Sequence, residues 1–101
     1  MRVIVMFDLP VVSKVDRRNY SLFRKSLIKA GFYMMQESIY CKLALNQTNA
    51  ESIRQNIIKR KPPKGLVQLM TITEKQFSDI EFIVGSKISD VINSTERYIE
   101  L

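Results

Sequence analysis

Residues 3–7 are Val-Ile-Val-Met-Phe, and Asp8, Leu9 and Pro10 follow directly. A short, unbroken apolar run rich in β-branched residues is typical of a strand buried on both faces at the centre of a sheet. The Asp-Leu-Pro sequence ends the run because proline cannot continue a central strand. We therefore predict a central strand at residues 3–7, with the other elements arranged around it.

The next segment has the pattern of a helix over residues 14–30. Ser13 and Asp16 resemble a capping box, and Gly31 is placed to end the helix. The apolar positions that share one side at 100° per residue, as expected for a face packed on a sheet, are Tyr20, Phe23, Leu27 and Ala30. The positions that share the opposite side are basic: Lys14, Arg18, Lys25 and Lys29.

Three more strands and a second helix complete the pattern. Strand-like runs occupy residues 32–36, 39–45 and 66–72, and a helix is predicted at about residues 50–60 after a capping region at 46–49. In the 39–45 run we predict that Ile39, Cys41, Leu43 and Leu45 point inward, with Tyr40, Lys42 and Ala44 on the other face. The order β-α-β-β-α-β predicts an α+β, ferredoxin-like fold, in which a four-stranded antiparallel sheet carries two helices on one face.

We predict a single domain over residues 1–101, with a core of about 1–73 and a C-terminal extension of about 74–101. In the extension, Thr73 and Gln76 bracket a short helix, and residues 82–84 and 98–101 are predicted as short strands. The two main helices leave one sheet face uncovered, and an exposed apolar face is usually covered by a partner. We therefore predict a symmetric homodimer that the extension helps to lock.

Composition excludes several classes of protein. The chain has no histidine and one cysteine, Cys41, so an internal disulfide, a Cys/His zinc site and a Ser/His or Cys/His nucleophile pair are excluded. Any metal must be held by oxygen. No apolar run approaches the ~20 residues needed to cross a bilayer, and Asp8 follows the start too closely for a signal peptide. We expect a cytoplasmic protein that does not enter a membrane.

Positive charge is concentrated in the first half of the chain. The net charge is +6, and residues 1–50 hold eight Lys or Arg against three acids. This asymmetry predicts a surface that faces a polyanion, bound through its backbone; the alternative is a solvated, exposed helix face. A secondary candidate for phosphate contact is the basic loop formed by Lys59, Arg60, Lys61 and Lys64.

Asp8 is the leading candidate for chemistry. It follows the buried central strand, at a sheet edge where ligands are often bound. One carboxylate is a poor metal site, but Mg²⁺ commonly takes one or two carboxylates with waters and phosphates, and two-fold symmetry can supply the second from a partner subunit. The alternative is that Asp8 bonds the backbone of the turn before Pro10.

The chain resembles the second core family of CRISPR-associated proteins, the small subunit that partners the integrase during spacer acquisition. The resemblance covers about three quarters of the chain and depends on the order and spacing of several segments. They are residues 5–10, 16–18, Tyr20, 23–25, 31–32, 36–40, 64–65 and 73–77, with Ser94 and residues 96–97 towards the end. Residues 36–40 and 73–77 look most like members from systems whose effector is one large RNA-guided nuclease.

This resemblance implies a homodimer whose extra C-terminal strand crosses to the partner's sheet. The dimer would bridge two Cas integrase dimers while double-stranded prespacer DNA lies across its basic surface. Many members are also metal-dependent endonucleases for RNA or double-stranded DNA, which implies Asp8, from both subunits, as the catalytic residue and Mg²⁺ ligand. The DNA-binding candidates are Lys14, Arg17, Arg18, Arg24, Lys25 and Lys42.

Two functions of different classes follow from these patterns. The first is a non-catalytic scaffold whose rigid width sets the spacing between two integration sites, and we favour it as the biological role. The second is a phosphodiesterase in which Asp8 and its symmetry mate hold Mg²⁺. Weaker alternatives are a toxin-like endoribonuclease of the same fold acting alone and a small-ligand regulatory domain, which would not need the one-sided basic helix.

Overall fold

The structure is a computed structural model, and it describes residues 1–85. The elements in chain order are β1 (Arg2–Asp8), α1 (Lys14–Lys29), β2 (Tyr33–Gln36), β3 (Ile39–Leu43), α2 (Gln47–Lys59), β4 (Leu66–Ile72) and α3 (Glu74–Ser78). The sheet has the order β2-β3-β1-β4, and every neighbouring pair is antiparallel. The predicted α+β, ferredoxin-like fold is confirmed.

The strand at the start of the chain is central, as its composition predicts. β1 pairs with β3 on one side and with β4 on the other, and all seven of its residues are in register with β4. Val3, Ile4 and Val5 are at most 3% exposed although successive residues point to opposite faces. Burial on both faces explains why this run does not alternate between apolar and polar residues.

The main core lies between the sheet and the two long helices. Its buried residues are Val3, Val5, Phe7, Leu9, Phe23, Leu27, Phe32, Tyr40, Ala44, Ala50, Ile53 and Ile57. The predicted inner face of α1 is confirmed, since Phe23 and Leu27 are buried and Tyr20 and Ala30 pack against this cluster. Loss of a fully buried side chain such as Leu27 typically costs about 2 to 5 kcal/mol of stability.

The facing predicted for the third strand was wrong. Tyr40 and Ala44 lie in the core beneath the helices, whereas Leu43 and Leu45 are exposed. Cys41 is buried, but on the opposite face, where it pairs in register with Ile4. The strand also ends at Leu43 rather than at residue 45. Alternation separates the two faces of a strand, but only the register with β1 decides which of them meets the helices.

The helix boundaries depend on local caps. Ser13 and Asp16 form the predicted capping box of α1, and Thr73 and Gln76 form another at α3. α2 begins three residues before the predicted start because the Asn46 side chain accepts a hydrogen bond from the Asn49 amide. These contacts satisfy amide groups that have no partner within the helix.

Residues 82–84 do not form the predicted strand. Ile83 is 86% exposed and Val84 is 91% exposed. Three residues form a strand only when a neighbouring strand supplies hydrogen bonds, and no described part of the chain does so here. The predicted strand at 98–101 lies outside the described residues.

The sheet face away from α1 and α2 is rich in apolar side chains and is partly exposed over residues 1–85. By the strand register it carries Ile4, Met6, Ile39, Cys41, Leu43, Leu66 and Met70. Leu43, Leu66 and Met70 are 44% to 55% exposed. We call this surface the open face. None of the helices in the described range is long and apolar enough to cross a bilayer.

One end of the open face is covered by α3. Arg2 holds this helix, because its Nε donates to Glu74 Oε1 at 2.9 Å and its guanidinium lies 4.4 Å from the centre of the Phe77 ring. The Arg2 contact lowers the pKa of Glu74. Arg2 also donates to the Tyr33 hydroxyl, and burial raises the pKa of Tyr33 to about 12. The other end of β1, where Asp8 lies, stays uncovered by described residues.

Candidate functional site

Asp8 is the last residue of β1, and its side chain is exposed at the edge of the open face. It is paired in register with Leu66 of β4. The uncovered end of the open face therefore presents an exposed carboxylate. This position agrees with the place that the sequence predicts for Asp8.

A shallow depression surrounds Asp8. Its lining residues are Met6, Phe7, Asp8, Glu37, Ser38, Ile39, Leu66 and Gln68. The Phe7 amide donates to the Ser38 carbonyl at 3.0 Å, which ties the β2–β3 turn to the end of β1. Glu37, which lies in that turn, was not among the sequence candidates because only the fold brings it beside β1.

The donor set of the depression fits a hard cation that keeps most of its waters. Asp8 and Glu37 supply carboxylate oxygens, which Mg²⁺ prefers. Among residues 1–85, however, no cluster of three or more His, Cys, Asp or Glu side chains can hold a metal ion. A single chain thus offers at most an open site, which substrate phosphates or a second subunit would have to complete.

Aromatic packing fixes the position of Phe7, the residue before Asp8. The Phe7 ring stacks on Tyr40 with 5.7 Å between ring centres, and it meets Phe23 edge-on at 5.2 Å and Tyr20 at 6.0 Å. Such pairs add about 0.5 to 1.5 kcal/mol each to the burial energy. The residue before Asp8 is therefore held in one position, while Asp8 itself faces solvent.

Gly65 packs against the backbone of Asp8 and Leu9, where the chain turns after β1. Its φ is +102°, which favours glycine, and a Cβ there would lie 3.0 Å from the Asp8 carbonyl oxygen and 3.2 Å from Leu9 Cα. Both of these are backbone atoms that cannot move aside cheaply. Gly65 thus allows the α2–β4 loop to contact the backbone just beyond β1.

We expect Gly65→Ala to lower the free energy of unfolding by about 3 kcal/mol, from backbone strain of about 1 to 3 kcal/mol and a steric cost of similar size. Gly85→Ala is the matched control, because Gly85 also has a positive φ, +92°, but a Cβ there has nothing within 4 Å. Urea unfolding measures both. Equal losses in the two variants would contradict the packing role of Gly65.

The basic stripe of α1 consists of Lys14, Arg18, Lys25 and Lys29, all exposed as predicted. It extends for about 22 Å along the helix axis at 1.5 Å per residue. None of these four side chains makes an ion pair within residues 1–85. The stripe is a row of uncompensated positive charge on the side of the domain away from the open face.

Three other DNA-binding candidates have partners inside the chain. Arg17 donates to the Val12 carbonyl at 2.8 Å, and Arg24 Nε donates to the buried Tyr40 hydroxyl at 3.0 Å. Lys42 donates to the Ala30 carbonyl at the end of α1. These contacts give Arg17, Arg24 and Lys42 structural roles that sequence reasoning missed, since each partner lies at least five residues away along the chain.

The residues of the secondary basic loop also differ in whether they form an ion pair within the described chain. Lys59, Arg60 and Lys61 are exposed at the end of α2 and beyond it. Lys64 Nζ instead lies 3.1 Å from Oδ1 of Asp16, a side chain that is 8% exposed. Lys64, followed by the capping contacts with Ser13, lowers the pKa of Asp16. The stability that this carboxylate contributes is therefore present at neutral pH and is lost as the pH falls through its lowered pKa.

Comparison with known proteins shows which family the chain resembles in sequence. A family model described as "CRISPR associated protein Cas2" matches residues 1–80. A protein of Treponema denticola named "CRISPR-associated endoribonuclease Cas2" is 54% identical over 101 residues, the full length of both chains. Proteins with the same name from Ligilactobacillus salivarius and Lacticaseibacillus rhamnosus are 45% and 42% identical and cover 100% and 98% of both chains. The fold, the exposed Asp8 after the central strand and these matches together show that the chain belongs to the Cas2 family of CRISPR-associated proteins.

Proposed function

We propose that this protein is a subunit of CRISPR spacer acquisition, which acts as a homodimer, bridges two integrase dimers and binds double-stranded prespacer DNA through its phosphate backbone. The observation that carries the proposal is the uncompensated basic stripe of α1 on a domain whose opposite sheet face is open and apolar. One surface suits a polyanion and the other suits a second copy of the chain.

The open face supports the dimer. Its exposed side chains are of the kind that a soluble domain normally covers. The adjacent edge strand, β4, has seven residues without a charge or a proline, and among residues 1–85 only β1 pairs with it. A long, uncharged edge of this kind readily accepts another strand. The exposed side chains of residues 82–84 lie on the segment that leads from α3 towards the C-terminus.

The basic stripe supports binding to the DNA backbone rather than to base edges. Lysine is a flexible point charge that suits phosphate, and three of the four residues in the stripe are lysine. The aromatic rings near α1 are packed in or against the core, where they cannot stack on bases. Binding should therefore depend strongly on salt and weakly on sequence.

We expect Lys25→Gln to flatten the dependence of duplex affinity on salt. Each phosphate contact contributes about 0.9 to the slope of log K against log salt, so a dimer that loses two contacts should lose about 2. Lys75→Gln is the matched control, because it removes the same charge from α3, where Lys75 pairs with Asp79 at 3.4 Å. Fluorescence anisotropy between 50 and 300 mM salt measures the slope. An equal change in both variants would mean that net charge, and not the stripe, governs binding.

A second function, endonuclease activity on RNA or double-stranded DNA, is favoured by the names of the relatives, which call them endoribonucleases. We propose that Asp8, together with Asp8 from the second subunit, would hold Mg²⁺. When bound, the ion would supply positive charge to the scissile phosphate and acidify water. Phe7 and Gly65 would keep Asp8 in place. The chain has no histidine to serve as a base.

A further inference from the structure

Among residues 1–85, Asp16 is the one charged residue that is buried, in the first turn of α1. Its Oδ2 accepts a hydrogen bond from the Ser13 amide at 3.3 Å, which closes the capping box of α1. Its Oδ1 has no well-directed hydrogen bond in the described structure, and its partner is the Lys64 ammonium at 3.1 Å. A buried carboxylate oxygen needs such a partner, because charge removed from water is costly when it is left unpaired.

The two ends of this ion pair belong to segments far apart in sequence. Asp16 lies in the first turn of α1, and Lys64 lies in the loop between α2 and β4. Leu9, Pro10, Tyr20 and Pro63 enclose the space beside the pair. The contact therefore joins the α2–β4 loop to the start of the helix that carries the basic stripe.

Lys64 is also directly attached to the residue that supports Asp8. Gly65 follows it and packs against the Asp8 carbonyl and Leu9 so closely that a Cβ would not fit. A shift of Lys64 would move Gly65 and open this contact. The ion pair with Asp16 and the contact with the Asp8 turn are thus made by two consecutive residues.

We propose that Lys64 is a positioning residue for the Asp8 turn and not a phosphate contact: its ion pair with Asp16 latches the α2–β4 loop onto the start of α1. The Lys64 side chain is 64% exposed, so its ion pair, and not burial, separates it from Lys59, Arg60 and Lys61, which make no ion pair within residues 1–85. Its relevance to cleavage and DNA binding rests on the proposed function, but the latch itself does not.

Hydrogen exchange tests the latch directly in the full chain. Lys64→Met keeps the aliphatic stem and removes the charge, and we expect the backbone amides of residues 60, 61 and 64–66 to exchange about tenfold faster. Asp16→Asn should accelerate exchange of the same amides, while its side-chain oxygen still accepts the capping hydrogen bond from Ser13.

The double variant should exchange no faster than either single variant, because both substitutions remove the same interaction. Lys64→Arg should restore protection, and Lys61→Met is the matched control in the same loop. Unchanged exchange in Lys64→Met and Asp16→Asn, or fully additive effects, would overturn the proposal.

Duplex binding and cleavage separate positioning from phosphate contact. If Lys64 is a positioning residue, Lys64→Met should leave the slope of log K for duplex binding against log salt unchanged. If Lys64 contacts a phosphate, the same substitution should flatten that slope by about 1 per site. We expect kcat for cleavage to fall about tenfold with KM unchanged, and Lys64→Arg to restore it. A flatter slope with normal exchange would assign Lys64 to the DNA instead. If the unmodified protein neither binds nor cleaves nucleic acid, the proposed function fails, while the exchange experiment still decides on the latch.

Discussion

Asp8→Ala is expected to abolish metal-dependent cleavage while duplex DNA binding stays within about twofold of the unmodified protein. Asp8 is the exposed carboxylate at the uncovered end of β1, and the proposed metal site depends on it in both subunits. Loss of a direct ligand removes several kcal/mol of transition-state stabilisation, which is a rate loss of at least about 100-fold. The basic stripe lies on α1 and does not involve Asp8. Single-turnover cleavage of labelled RNA and duplex DNA, with and without Mg²⁺, measures the first effect, and anisotropy measures the second.

Two further variants make this experiment specific. Asp79→Ala is the matched control, because Asp79 is an exposed aspartate at the end of α3, far from Asp8 in the fold. Glu37→Gln tests the source of the second carboxylate, since Glu37 lines the same depression as Asp8. We expect the Glu37→Gln variant to keep its cleavage activity if the partner's Asp8 completes the site. Loss of cleavage in Glu37→Gln would contradict the two-fold arrangement, and loss of DNA binding in Asp8→Ala would contradict the separation of the two surfaces.

Met70→Lys is expected to convert the proposed dimer into monomers. Met70 lies on the open face of β4 opposite Ile4, and it is 44% exposed in the single chain, so a lysine there can reach water in the monomer. In a dimer formed through this face, two unpaired ammonium groups would be buried. That cost is about 3 kcal/mol or more, which raises the dissociation constant by at least about 100-fold. Sedimentation velocity across a concentration series measures it.

The matched control is Thr71→Lys, one residue further along β4. Thr71 is exposed too, but it pairs with Val3 and so points to the side of the helices. This variant should leave association unchanged. Equal association of Met70→Lys and the unmodified protein would show that the open face is not the interface. A protein that is monomeric without any substitution would remove the basis for bridging two integrase dimers.

The candidate site could be predicted from the sequence only where its residues act locally. Asp8 follows an apolar strand, and the stripe of α1 repeats at helical spacing, so both were found from patterns within one element. The roles of Arg24 and Lys64 were not found. Each depends on a partner at least 16 residues away, Tyr40 and Asp16, and nothing near either residue in sequence signals that contact.

Local sequence patterns were enough to predict the order of the elements from β1 to α3, the caps at Ser13 and Thr73, and the excess of positive charge on α1. These features depend on side chains and backbone groups within about four residues of one another. Local patterns did not predict that Tyr40 rather than Cys41 faces the helices, or that Gly65 packs against the Asp8 turn. Those outcomes depend on the register and close packing of segments far apart in the chain, which no local pattern encodes.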